Sequence, residues 1–178
     1  MSVRLNDPLL TVSRIVVLVI QVLLGIAALA LTAAIPFVLF GKSLIEAEID
    51  EEAVPLVGAF PSLQIAGLML AGLVVVVLAF VFLRHLGRII DTVGDGDPFV
   101  PDNADRLRAM GWLMLGIQIA TVAMVPLIVA VQRAFEETRP SMETDVDLSG
   151  IVLVLVLFIL ARVFRHGAAM REDLEGTV

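Results

Sequence analysis

Four stretches of the chain carry no charged side chain: Ile15–Phe40, Ala53–Leu83, Ala109–Gln132 and Leu148–Ala161. A hydrocarbon core of ~30 Å takes about 20 apolar residues of helix at ~1.5 Å each, and the first three runs exceed that. They are rich in Leu, Ile, Val and Ala without alternating polar positions, so they predict helices and not barrel strands. The fourth run is shorter. It completes a crossing only if Arg162 sits at the boundary and extends its guanidinium toward water. Its start is favoured by Asp145, Asp147 and Ser149 at the positive end of the helix dipole. The pattern predicts an all-α, polytopic bundle of four transmembrane helices in a single domain, 1–178. The helices are expected at about 13–40, 62–84, 108–131 and 148–165, with a loop 85–107 on one side and loops 41–61 and 132–147 on the other.

Composition agrees: 59% of residues are hydrophobic and 17% charged, where soluble domains are nearer half and a quarter. The net charge of −7 hides a strong sidedness. Glu46, Glu48, Asp50, Glu51 and Glu52 fall in one predicted outer loop, and Glu136, Glu137, Glu143, Asp145 and Asp147 in the other. Arg4, Arg14, Arg84, Arg88, Arg106, Arg108, Arg162, Arg165 and Arg171 flank the termini and the middle loop, leaving Lys42, Arg133 and Arg139 elsewhere. The excess of basic residues on the cytoplasmic side of membrane proteins then predicts that both termini and the middle loop are cytoplasmic. Arg dominance, with Lys42 the only lysine, points to a GC-rich bacterial genome and so to the bacterial inner membrane. Ala28-Leu29-Ala30 resembles a signal-peptide cleavage site, but the apolar run around it is longer than the ~7–15 residues of such a signal, and an uncleaved helix is expected.

The first three runs hold no Asp, Glu, Lys, Arg or His, the side chains from which ion paths and proton relays are built. Their polar groups are Gln21, Thr32, Ser62, Gln64, Gln118 and Thr121, read first as bonds between helices. Small pairs at helix-packing spacing, Ala30 with Ala34, Gly67 with Ala71 and Gly116 with Ala120, let backbones approach. Pro36 and Pro126 are expected to kink or end their helices. No nucleophile elbow, zinc-protease, P-loop or dinucleotide motif occurs, and there is no Cys. His85 and His166 lie at helix ends among arginines, and two such residues do not make a zinc site. No enzyme activity, cofactor or metal is therefore expected. The arginines are spread over segments too short for a nucleic-acid recognition module, so direct nucleic-acid binding is not expected.

The middle loop holds the most information. Leu86, Ile89, Ile90 and Val93 at helical spacing predict that the second helix runs on past the membrane, until the glycines and Pro98 turn the chain. Asp102 then reads as an N-cap with Asp105 completing an acidic capping box. The third helix enters the membrane near Trp112, the only tryptophan. Arg162 and Arg165, three apart on the fourth helix, are expected to pair with Asp91, Asp95 or Asp97 and clamp the tail to this loop. The same surface is a candidate docking site.

The string Gly96-Asp97-Pro98-Phe99, Asn103, Arg106-Leu107-Arg108 and Gly111-Trp112 resembles the signature of a bacterial membrane family, domain of unknown function 2975. The tail, with Val163-Phe164-Arg165, Gly167, Met170 and an acidic cluster, resembles its second signature. Several relatives end in an acidic stretch followed by Leu-Thr-Ile, whereas this chain has Glu175-Gly176-Thr177-Val178. The similarity takes in essentially the whole chain and implies four helices without an assigned activity. Some members resemble the membrane half of a gene pair whose other half is a helix-turn-helix regulator, which implies regulation by sequestration. The expected partners are the bilayer, a cytosolic helix-turn-helix regulator and further copies of the chain. The candidate structural or docking residues are Gly96, Asp97, Pro98, Phe99, Asn103, Arg106, Arg108, Trp112, Arg162, Arg165 and Gly167. The alternative is a small-molecule channel or transporter subunit acting as an oligomer, with Gln21, Gln64 and Gln118 facing one path.

Overall fold

In the computed structural model, which describes residues 8–41, 61–134 and 148–175, four helices account for almost every described position. They are α1 (Pro8–Phe40), α2 (Ser62–Gly94), α3 (Pro101–Ala134) and α4 (Leu148–Glu175). Each is long and apolar enough to cross a membrane, and the chain is a multi-pass membrane protein. Pro8 and Pro101 open their helices, where a missing N–H costs nothing and the fixed φ is already helical. At 33 and 34 residues, α2 and α3 rise ~50 Å, well beyond a ~30 Å hydrocarbon layer. The surplus of both lies around the connection 95–100, so most of the predicted loop 85–107 is helical, as the stripe Leu86, Ile89, Ile90 and Val93 requires.

One expectation is narrowed and one corrected. α1 runs through Pro36 to Phe40 and α3 through Pro126 to Ala134, so of the two alternatives, a kink or an end, neither proline ends its helix. α3 begins at Pro101, which puts Asp102 inside its first turn and not at the N-cap. The carboxylates of the two loops expected to face outward, the start signal Asp145 and Asp147, and the end 176–178 lie outside the described residues.

The chain divides into two compact units. One comprises Met1–Gly25, Leu78–Gln118 and Asp147–Val178; the other comprises Ile26–Val77 and Ile119–Val146. In the second, Gly67 on α2 faces Leu127 on α3, with the leucine methyls 3.6 and 3.7 Å from where a Cβ would stand. Gly67 thus meets α3 at ordinary contact distance through a side chain. The first unit holds the principal buried cluster, Leu107, Met110, Leu157 and Ala161, joined by Phe82, Leu86, Ile89, Met114 and Phe164. Gly116 meets Leu78 and Gly87 meets Val17 at ordinary contact distance, and Gly111 lies against the Phe158 ring. Away from these seams apolar side chains face outward, as lipid allows: Leu29 is 73% exposed and Ile159 62%. The packing is therefore tightest at the polar end of this unit.

Candidate functional site: the polar end of the first unit

The site is built around the turn between α2 and α3. Gly96 has φ +85°, a conformation that suits glycine. Its N–H donates to the Val93 carbonyl at 3.1 Å, and the Asp97 N–H donates to that of Thr92 at 3.0 Å. These two bonds, with a left-handed glycine between the helix and its exit, make a Schellman closure. Pro98 follows, where continuing the helix is ruled out.

Asn103 locks the turn from the other side. Its side chain is completely buried, the only large one among the described residues to be so. The Nδ2 group donates to Thr92 Oγ1 at 2.7 Å and to the Pro98 carbonyl at 2.9 Å. Oδ1 accepts from Arg106 at 2.7 Å, and the Asn103 N–H donates to the Val100 carbonyl at 2.9 Å. Thr92 in turn donates to the Ile89 carbonyl at 2.9 Å. Every hydrogen-bonding group of the amide is used, which is the condition for keeping it inside. Arg106 is oriented by a second bond, to Asp102 one turn back at 3.1 Å.

α4 lies across this turn. Phe99 stacks on Phe164 with ring centroids 5.3 Å apart. Gly167 sits under the Phe99 ring so closely that a Cβ there would come within 2.8 Å of Cδ1. That distance explains a glycine in mid-helix, where it otherwise costs ~1 kcal/mol against alanine. Further along, Trp112 meets Phe158 edge-on at 5.4 Å.

The ion pairs form a clamp, but not with the expected partners. Arg165 pairs with Asp105 on α3 at 2.7 Å, and Arg171 pairs with Asp97 in the turn. Arg14 on α1 takes Asp91. Arg162 has no carboxylate partner among the described residues, and neither has Arg108. Asp105 is thus a clamp residue and not part of a cap. Thr92, Asp105, Phe164 and Arg171 belong to the arrangement although none of them was among the eleven candidate residues.

Two hollows flank Arg162. One, of about 670 Å³, is lined by Phe99, Arg162, Val163, His166, Gly167 and Met170. The other, of about 390 Å³, is lined by Arg108, Phe158, Ala161, Arg162 and Arg165. Both are surface grooves with arginine at an apolar rim, and among the described residues no group of three metal-ligating side chains stands at either. Such grooves suit binding of an anionic or amphipathic ligand or of a protein segment. The structure brings together all eleven candidate residues in one unit, along the α2–α3 turn and the facing part of α4.

The family described as "Protein of unknown function (DUF2975)" matches residues 44–178. That region contains both motif strings and leaves the first helix outside, so the similarity is narrower than the whole chain. No curated protein and no solved structure matches.

Proposed function

We propose, for a chain that belongs to the DUF2975 family, a non-enzymatic regulatory role in the bacterial inner membrane. Both termini and the α2–α3 turn face the cytoplasm in this reading, which rests on the distribution of arginine along the sequence. The partner is a soluble regulator, with a helix-turn-helix protein the favoured class. It is held on the surface made by the turn and α4 and so kept from its promoter.

The observation that carries the reading is the larger groove. Phe99, Val163 and Met170 stand 41, 54 and 53% exposed around it, and Arg162 and His166 supply polar contacts at its edge. Their backbone is held by the Asn103 network, the Phe99–Phe164 stack and two ion pairs. A rigid platform with exposed apolar anchors and a polar rim is the anatomy of an interface, where a few anchors carry most of the energy. Gln118 is already committed elsewhere: its amide fills the space above Gly150. That packing role gives no support to a solute path lined by glutamines.

The test is co-purification in mild detergent from the native host. A helix-turn-helix protein is expected to be enriched with the tagged chain and reduced more than tenfold by Val163→Glu with Met170→Glu, each anchor contributing ~1–2 kcal/mol. Helicity by circular dichroism checks that the variant is folded. Equal recovery with the variant, or no soluble protein above an untagged control, overturns the proposal.

A further inference from the structure

The smaller hollow has an independent use. α4 is preceded in sequence by the carboxylate of Asp147, and from Ser149 to Arg162 the helix climbs only ~20 Å at ~1.5 Å per residue. A hydrocarbon layer is ~30 Å thick. Arg162 is therefore drawn to the level where acyl chains meet headgroups, and the first anions at that depth are lipid phosphates. Trp112 on α3, 58% exposed and edge-on to Phe158, marks the same depth, because its amphipathic ring favours the interface. Arg108 lies one turn from Trp112 on the side of the α2–α3 turn.

The charges leave room for an anion. Arg165 is neutralised by Asp105, and Arg106 is engaged by Asp102 and Asn103. Arg108 and Arg162, both exposed, line one hollow of about 390 Å³ beside the Asp105-paired Arg165, and among the described residues no carboxylate pairs with either of the two. Beneath them Phe158 and Ala161 offer an apolar wall. A guanidinium pair over an aromatic wall at interfacial depth matches a phosphodiester with an acyl chain below it. Guanidinium groups bind such phosphates through paired N–H donors, and basic pockets between membrane helices hold anionic headgroups.

We infer that Arg108 and Arg162, with Phe158 and Trp112 beside them, form a site for the headgroup of an anionic phospholipid in the leaflet at the turn end of the protein. The site depends neither on which side of the membrane that leaflet faces nor on any soluble partner.

Trp112 reports on it directly, being the only tryptophan in a chain with no tyrosine. The purified chain is reconstituted in phosphatidylcholine vesicles, and a fraction of the lipid is replaced by brominated phosphatidylglycerol or brominated phosphatidylcholine, which quench indole fluorescence on contact. At equal fraction the anionic quencher is expected to act several-fold more strongly. Arg108→Gln with Arg162→Gln should abolish that preference, bringing the two quenchers to about equal effect, since each guanidinium near the surface contributes about fivefold, or about 1 kcal/mol. Arg84→Gln with Arg88→Gln removes the same charge from exposed positions on α2 and is expected to change it little. Equal quenching of the native chain by the two lipids overturns the site without recourse to any variant. An equal loss in both double variants also overturns it, since the attraction is then diffuse. Relief of the quenching by millimolar inorganic phosphate at matched ionic strength would mean a site for soluble phosphate, and the lipid assignment would fall.

Discussion

At the scale of single residues, the polar end depends on one buried amide. Asn103 satisfies both of its amide hydrogens and its oxygen internally, joining α2 through Thr92, the turn through Pro98 and α3 through Arg106. Replacement by leucine keeps the volume and removes every bond, leaving the Pro98 carbonyl and the Thr92 hydroxyl short of a partner. A stranded buried polar group costs ~1–3 kcal/mol. Asn103→Leu should therefore destabilise the protein by ~2–4 kcal/mol, read as a fall in the thermal midpoint in detergent by circular dichroism; a shift within error would mean that the network contributes nothing net. The sequence marks Asn103 only as part of a motif string. Its role follows from the two-turn geometry that brings position 92 to position 103, which no local spacing encodes. Gly96 was easier to read, because a glycine before Asp-Pro at the end of an apolar stripe is a chain-reversal signal by itself.

Between elements, the question is what holds α4 on the α2–α3 turn. Arg165–Asp105 is a solvent-exposed pair and Arg171–Asp97 a partly exposed one, and pairs open to solvent contribute ~0–1 kcal/mol each. The Gly167–Phe99 approach excludes side-chain volume altogether. Arg165→Gln and Arg171→Gln are accordingly expected to cost under ~1 kcal/mol each. Gly167→Leu should cost ~2 kcal/mol, because it must displace the Phe99 ring from Phe164 and that overlap exceeds what leucine gains as a helix former. Urea unfolding of the three variants ranks them, and the reverse order would make the clamp electrostatic. Of the two arginines that the sequence pointed to, Arg165 engages an acidic residue, Asp105, whereas Arg162 pairs with none among the described residues and Arg171 takes Asp97 in its place. Spacing places Arg162 and Arg165 on one side of α4, but the partner depends on how α3 is rotated. Asp105 had a competing local explanation as a cap, and only the start of α3 at Pro101 removes it.

For the whole molecule, the spans were the most legible feature, because a charge in hydrocarbon is costly and uncharged runs of helical length are therefore conspicuous. Where each helix ends was harder. The surplus turns of α2 and α3 outside the apolar runs are held by Leu86, Ile89 and Leu107 packing together with α4, which is a tertiary effect. Sidedness is a further property, carried in the sequence by arginine alone. The absence of Cys makes it directly measurable. A single cysteine at Asp95, an exposed position in the turn, should react with a membrane-impermeant maleimide in inverted vesicles and stay unlabelled in intact spheroplasts. A single cysteine at Ser141, in the acidic stretch between α3 and α4, should show the opposite pattern. Labelling of the Asp95 position from outside would invert the assignment and remove a cytosolic regulator from the reach of the larger groove. The phospholipid site would survive that result unchanged, since it is defined by depth in a leaflet and by two guanidinium groups without a carboxylate partner among the described residues. The two proposals therefore separate on this one measurement.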